Sequence, residues 1–293
     1  MYNVYKYYLR RCNVENIKII SENEKDTNIK EFLLQHGFTA TLIKKVKFGG
    51  VSINGQTVTM RGTVKHGDTV FVSFPDSISE GIPPMEMPLD IIYEDDYMIA
   101  VNKPKNMPTH PSKGNNLPTL ANGIMAYFGG NHTFRSINRL DRDTSGIVLM
   151  AKDAYSAAAL SNSMKKGEFK KKYIAKIAGV PKEKHGIIDA PIRRENEGEM
   201  KRIVADDGKW AVTEYTVLCD NGENSLVEVL LHTGRTHQIR VHFSYIGHPL
   251  VADFLYGERI ENESYSLHCF ELSLPHPKTK ETLVLRAKCD FEL

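Results

Sequence analysis

Asn138-Arg139-Leu140-Asp141-Arg142-Asp143-Thr144-Ser145-Gly146, running directly into Ile147-Val148-Leu149-Met150-Ala151, is the stretch on which the fold turns. Charges and turn formers crowd the first part, and the second is an uninterrupted apolar run. A run of that length bounded by turn residues reads as a buried strand. A loop that feeds a buried strand is held rigidly at the edge of a sheet. In an extended loop Arg139, Asp141 and Asp143 would share one face, because side chains alternate along an extended chain. The same residues also suit a solvated turn with local ion pairs, which are common and individually worth little. Taken alone, the stretch leaves both readings open.

Working outward, strands and helices mix without regular alternation. Ile91–Asp95 and Tyr97–Val101 read as strands around a turn. Asp153 caps the Ala-rich stretch 154–164, a helix. Lys172–Ile177 alternates as a strand, and 211–218 with 226–231 read as a strand pair. Residues 236–245 suit a helix. This is an α+β pattern, not the repeated βαβ of a dinucleotide-binding fold.

The first 75 residues read as two short helices and a small curled sheet. Asp26-Thr27-Asn28 offers caps ahead of Ile29, Phe32, Leu33 and Leu34, and Gly37 closes that helix. A second helix covers 41–47. Asn54-Gly55 between Val51-Ser52-Ile53 and Gln56-Thr57-Val58 predicts a tight hairpin. Lys65-His66-Gly67-Asp68 turns into a strand over 69–72. Pro75, Gly81, Pro83, Pro84 and Pro88 mark a linker.

Charge separates the same regions. Residues 1–75 carry 11 Lys+Arg against 6 Asp+Glu, whereas the remainder carries 27 against 30. A basic front end on a nearly neutral body suits a polyanion-binding module joined to something else.

Several classes drop out. No Walker loop and no Gly-x-Gly-x-x-Gly follows a strand, so neither nucleoside triphosphates nor dinucleotides are indicated. His232, His237, His242 and His248 cluster in sequence, but no His-Glu-x-x-His or Cys/His ligand spacing accompanies them, and no metal is expected. Cys12, Cys219, Cys269 and Cys289 are scattered, against a zinc ribbon or a disulfide framework. No apolar run approaches membrane-spanning length, and Met1–Arg10 does not read as a signal peptide. A cytoplasmic protein without membrane association is expected.

Two further clusters carry polar chemistry. Leu231-His232-Thr233-Gly234-Arg235-Thr236-His237-Gln238-Ile239-Arg240-Val241-His242 runs from a strand through a turn into a helix, whose free N–H groups and arginines suit phosphate. Lys170-Lys171-Lys172-Tyr173-Ile174-Ala175 surrounds one tyrosine with lysines, and equally suits a solvated basic strand end.

Together these segments resemble the RluA-type family of pseudouridine synthases. The family pattern His-Arg-Leu-Asp-x-x-Thr-Ser-Gly stands here as 138–146. The resemblance runs from about Leu89 to the C-terminus through Asn102-Lys103-Pro104, Thr109-His110-Pro111-Ser112, Lys172–Ala175, Thr233–Arg240, Gly247-His248-Pro249-Leu250, Asp253-Phe254-Leu255-Tyr256-Gly257 and Leu267-His268. Residues 14–75 resemble the small alpha-L RNA-binding domain, on Lys44–Lys47, Gly50–Gly55 and Val64–Asp68. The implied organisation is an alpha-L-like RNA-binding domain over 1–75, a linker over 76–88 and a catalytic domain over 89–293, with a mixed, largely antiparallel sheet and flanking helices.

The resemblance implies an RNA-modifying isomerase acting on ribosomal RNA, chiefly of the large subunit, or on transfer RNA. It needs neither cofactor nor metal, because breaking and rejoining a glycosidic bond changes no oxidation state. Asp141 is the implied catalytic carboxylate, attacking carbon 1 of the ribose or removing a carbon 2 proton. Either role needs the ionised form, so a cation belongs beside it, and motif position makes that Arg240. Tyr173 would stack on the uracil and help remove the carbon 5 proton. Arg139 would fill the space left by a flipped uridine. Lys103, Arg142, Lys170, Lys171, Lys172 and Arg235 are candidates for RNA contact, as are Lys44, Lys45 and Lys47 in the front end. No obligate protein partner is implied.

Two positions depart from the family pattern. Asn138 replaces the usual histidine and is expected to tune RNA contact. Asn106 replaces a common glycine, and asparagine tolerates the positive φ such a turn requires. Two competing readings are a glycoside or nucleoside hydrolase using Asp141 with Asp143 as a carboxylate pair, and a catalytically silent RNA-binding protein. Arg139 and Arg142 beside the acids speak against the first, and the complete Asp141, Tyr173, Arg240 set speaks against the second.

Overall fold

The computed structural model of the chain describes residues 4–7, 14–75, 79, 81–112, 118–289 and 291–292. Most of Met1–Arg10, and Cys12, lie outside them. Two apolar cores organise the described residues.

The first core lies among the elements of the first 75 residues: β1 (Val4–Tyr7), β2 (Val14–Ile20), β3 (Thr27–Asn28), α1 (Ile29–Gln35), α2 (Ala40–Val46), β4 (Val51–Ile53), β5 (Gln56–Thr57), β6 (Thr63–Val64) and β7 (Thr69–Pro75). Asn28 caps α1, accepting the Glu31 N–H at 2.9 Å, and Thr39 caps α2. Asn54 and Gly55 both take positive φ, as a two-residue hairpin turn requires. The sheet order is β1-β2-β7-β4-β5. Ile29, Phe32, Leu33, Leu42, Ile43 and Val46 from the helices bury against Ile17, Ile19, Val70 and Val72 from the strands.

The second core lies on a nine-stranded sheet. Its elements are β8 (Ile91–Glu94), β9 (Met98–Lys103), β10 (Ser145–Ala151), β11 (Lys170–Ala178), β12 (His185–Asp189), β15 (Val212–Asp220), β16 (Asn224–Leu231), β17 (Leu267–Pro275) and β18 (Thr282–Arg286). A separate hairpin, β13 (Ile192–Arg194) and β14 (Arg202–Val204), interrupts that series. The helices are α3 (Leu120–Tyr127), α4 (Ala154–Lys165) and α5 (Gln238–Tyr245). Strand order is β12-β15-β16-β11-β17-β10-β9-β8, with β18 on β17. Only β10 with β17 runs parallel, so the sheet is mixed and largely antiparallel, as the α+β pattern predicts. No helix among the described residues is long and apolar enough to cross a membrane.

The buried run that opened the sequence reading is β10, with every residue buried. Its parallel register pairs Gly146 with Cys269, and β11 pairs Tyr173 with the same Cys269. Gly146, Cys269 and Tyr173 therefore lie in one row across three central strands, which carries the 138–146 loop to the tyrosine. Glycine is required there: φ at Gly146 is +107°, and an added Cβ would lie under 3 Å from the Cys269 backbone.

The two cores meet at α4. Tyr155 is buried in the first core, stacks at a tilt 5.1 Å from Phe38, and donates its hydroxyl to the His36 carbonyl at 2.8 Å. The described part of the connecting segment lies along α3. Asn122 donates to the Pro83 carbonyl at 2.8 Å and accepts the Met85 N–H, while Ile82 buries against Ala121 and Met125.

Candidate active site

The 138–146 loop is not extended. A turn at Arg142-Asp143, closed by the Thr144 N–H on the Asp141 carbonyl at 3.2 Å, sends its side chains in different directions. Asp143 points inward and is buried, held by Arg142 through Nε–Oδ1 and Nη2–Oδ2 contacts of 3.0 Å each. Arg139 is exposed. Asp141 alone of the two acids faces the cavity described below. The expectation of one face shared by Arg139, Asp141 and Asp143 therefore fails, because the turn breaks the alternation.

Lys103, expected to contact RNA, and Asn138, expected to tune that contact, both support this loop. Lys103 is fully buried, and its ammonium donates to the carbonyls of Pro104 and Met107 at 2.8 Å and of Arg142 at 3.1 Å. Three acceptors match the three protons of an ammonium, so none is left for a phosphate. Burial drags its pKa down to about 7, against the pull of Asp143 and Asp141. Asn138 is likewise buried, at the wall of the cavity described below. Its amide donates to the Ile147 carbonyl at 2.9 Å and accepts the Leu149 N–H at 2.8 Å, stapling the loop to β10. Thr109 completes the frame by donating to the Leu140 carbonyl at 2.8 Å. Asn106, at φ +58°, makes the turn between them.

Around the Asp141 carboxylate the structure gathers residues from α5 and the segment after it. Arg240 Nη1 lies 3.6 Å from Asp141 Oδ2, an ion-pair distance but too long for a hydrogen bond. The guanidinium is anchored elsewhere, by paired 2.7 Å bonds from Nε and Nη2 to buried Asp253. It also sits 4.3 Å from the Tyr265 ring centroid and 4.9 Å from that of Tyr256. Burial opposes its charge, but the Asp253 bonds and the nearby Asp141 hold its pKa above the ordinary arginine value. His237 Nε2 stands 3.7 Å from the same Asp141 oxygen, while its Nδ1 and the Tyr256 hydroxyl are 2.7 Å apart. Burial lowers the His237 pKa, Asp141 opposing and Arg240 assisting. His237 takes φ +57° just ahead of α5, uncommon for a non-glycine.

Tyr173 is buried, and its hydroxyl shares a hydrogen bond with the Cys269 thiol. Burial, with Cys269 and Asp141 nearby, pushes its pKa well above the usual tyrosine value. Lys171, two residues earlier, has its pKa lowered by burial.

These groups line a cavity of about 690 Å³, which is of the size that holds a nucleotide-like ligand. Arg139, Asp141, Arg142, Tyr173, Arg235 and Arg240 all contribute to its walls, as do Lys171 and His237. Lys172 is outside that lining and pairs with Glu228 at 3.0 Å. Lys44, Lys45 and Lys47 are exposed on and just after α2, beside Phe48, which is 88% exposed. Asp253, Tyr256, His237 and Tyr265 received no role from the sequence. The first three stand inside motifs quoted there, so their presence was visible and their pairing was not. Among the described residues no group of three His, Cys, Asp or Glu side chains is placed to hold a metal ion.

Comparison with known proteins identifies the family. The RNA pseudouridylate synthase family profile matches residues 97–245, which include Asp141, Tyr173 and Arg240. A Bacillus subtilis (strain 168) protein described as uncharacterized RNA pseudouridine synthase YjbO is 40% identical over 266 residues, 88% of this chain and 94% of that protein. The ribosomal large subunit pseudouridine synthase D of Xanthomonas campestris pv. campestris is 34% identical over 223 residues, 72% of this chain and 65% of its own length. Among solved structures, human RNA pseudouridylate synthase domain containing 1 superposes with a TM-score of 0.60 at 28% identity, covering 70% of this chain and 85% of that one. The chain belongs to the RNA pseudouridylate synthase family, whose members are isomerases.

Proposed function

We propose that the protein converts specific uridines of RNA to pseudouridine, with large-subunit ribosomal RNA as the first substrate to test and transfer RNA as the second, and that Asp141 is the carboxylate that does so. The observation that carries this reading is the placement of Asp141 in the cavity, between Arg240 and His237 and across from Tyr173. Large-subunit ribosomal RNA comes first because it is named for one of the relatives. The setting proposed is the cytoplasm, where both RNAs are processed.

The reaction starts with a uridine leaving its stack, at a cost of a few kcal/mol. Arg139 is exposed at the cavity wall and has no hydrogen bond or ion pair among the described residues, which suits a side chain that enters the vacated space. The Asp141 carboxylate then acts at the ribose as the bond from carbon 1 to the base nitrogen breaks. The base turns and rejoins through carbon 5. Arg240, held by Asp253 rather than by Asp141, supplies a fixed positive charge that stabilises the carboxylate without tying up its oxygens.

Tyr173 provides a ring surface for the uracil. Its raised pKa and the Cys269 bond keep the hydroxyl protonated, which argues for stacking over removal of the carbon 5 proton. Asp143, locked to Arg142 and turned from the cavity, does not form a carboxylate pair with Asp141, which weakens the hydrolase reading. The basic residues Lys44, Lys45 and Lys47 of the first 75 residues are proposed to dock the RNA body.

Pseudouridine mapping of total RNA with and without the gene tests the function. Loss of a defined set of sites without the gene is expected. Unchanged maps, or release of free uracil from RNA, would overturn it. A primary isotope effect with 2′-deuterated uridine would assign proton removal to Asp141, and its absence would assign attack at carbon 1.

A further inference from the structure

Beside the Asp141 cavity lies a second one, of about 460 Å³, and Gly234, Arg235 and Thr236 wall both. The β13–β14 hairpin and the segment leading to Trp210 enclose its other side. Arg193, Arg194, Arg202, Lys209 and Arg235 line it, with Asp207 as the one carboxylate.

The partners of these groups decide what remains free. Asp207 is taken by Arg193 at 2.8 Å. Arg202 spends one terminal nitrogen on the carbonyls of Glu199, Met200 and Lys201, folding the hairpin tip. Arg235 donates only Nε, to the Trp210 carbonyl at 2.9 Å, which orients the guanidinium and leaves its outer edge open. The side chains of Arg194 and Lys209 make no hydrogen bond or ion pair among the described residues. Three cations thus face one cavity without a protein anion to balance them. Their mutual repulsion is relieved by an anion arriving from outside, and the planar fork of an arginine matches a phosphodiester.

Trp210 adds a second, independent feature. It is the single tryptophan of the chain and is 60% exposed. Its indole N–H donates to Asp189 at 3.1 Å, so the ring is held in place while its surface stays open. A fixed, exposed indole next to a phosphate-sized cluster of cations is the combination that single-stranded RNA binds, base on ring and phosphate on cation.

We propose that this second cavity is an RNA subsite, which holds a phosphodiester next to the flipped uridine on Arg194, Lys209 and Arg235 and stacks a neighbouring base on Trp210. The proposal rests on the reading of the first cavity as the uridine site. It adds where the strand runs on leaving it, past Gly234–Thr236 and onto the β13–β14 hairpin.

The test uses the full chain and a fluorescein-labelled oligouridylate of twelve nucleotides. Trp210 is its own reporter. Its emission is expected to be quenched along the same saturation curve as the anisotropy of the label. An emission that stays constant while the oligonucleotide binds overturns the stacking. The double variant Arg194→Glu with Lys209→Glu is expected to weaken binding at least tenfold, and Arg194→Gln with Lys209→Gln to weaken it less. The neutral pair should also lower the salt slope of log Kd by up to about 0.7, the value for one single-strand phosphate contact. Unchanged affinity and slope in variants with the wild-type melting temperature overturn the subsite. Pseudouridine formation is followed separately. A wild-type protein that modifies no RNA defeats the function proposed above, whereas one that modifies RNA at the same half-saturating concentration as the neutral pair defeats only the subsite.

Discussion

The 138–146 loop and the Lys44–Phe48 segment are both rich in charge, yet they are built on opposite terms. Almost every polar group around the loop is spoken for. Lys103 clasps three carbonyls, Asn138 bridges two positions of β10, Asp143 is locked to Arg142, and Arg240 is forked onto Asp253. What this framework leaves available is the Asp141 carboxylate, 34% exposed at its side chain. In the other segment Lys44, Lys45 and Lys47 are exposed, and Lys47 lies over the bare Phe48 ring at 5.2 Å. Chemistry on one bond needs a reacting atom held within a fraction of an ångström, and buried hydrogen bonds supply that. Attraction to a polyanion needs charge with freedom to adapt, and solvated lysines supply that.

The contrast can be broken most sharply at its centre. Asp141→Asn is expected to cut pseudouridine formation by roughly a thousandfold or more, with RNA affinity kept within about threefold. Turnover near the wild-type rate would mean that the framework surrounds the wrong group. Next in size is Asp253→Ala, which leaves Arg240 buried without its carboxylate. A loss of about 3–5 kcal/mol of stability follows, read as a lower midpoint in urea unfolding, along with lost activity. A stable, active variant would show that Asp141 alone suffices to hold the arginine.

A smaller effect is expected from pH. The folded-state pKa of Lys103, about 7, lies below the value of about 10.4 for an unfolded lysine. Between those values the unfolded chain holds more protons, so stability rises with pH. Measured against Lys103→Met, the wild type should gain stability from pH 7 towards pH 10, and lose that gain as pH falls back through 7. A flat difference would mean that the three carbonyls keep the ammonium charged in the fold. The smallest change belongs to the solvated segment. Replacing Lys44, Lys45 and Lys47 together by glutamine is expected to weaken RNA binding about three- to tenfold and to flatten its salt dependence, without moving the melting temperature. A drop in thermal stability would show that this face is as structured as the loop.

Much of the frame is legible in the sequence because its signals are local. Asn28 and Asp153 cap the helices they precede, Asn54-Gly55 turns its hairpin, and the apolar run 147–151 is a buried strand. Motif order brought Asp141, Tyr173 and Arg240 to attention, and all three line one cavity. The misread residues depend on partners far along the chain. Whether Lys103 reaches water or the Arg142 carbonyl, 39 residues away, is decided by how β9 and β10 pair. Asn138 looks like a surface polar residue until the strand it bridges is in place. Asp253 is one acid among many until α5 brings Arg240 to it. The turn at Arg142-Asp143 is local, but alternating charges favour neither an extended loop nor a turn, and burial of Asp143 settles it.

Gly146 is the spacer between the strand that follows the Asp141 loop and the strand paired with that of Tyr173. Any side chain there would wedge β10 from β17 and shift the Asp141 loop relative to Tyr173. In a library of all single substitutions, position 146 should be as intolerant as position 141, although its variants would still assemble both apolar cores. A screen that scores function alone would class the glycine with the catalytic groups. Only a parallel screen for folded protein would reveal it as a spacer, whose smallness lets β10 lie directly against β17.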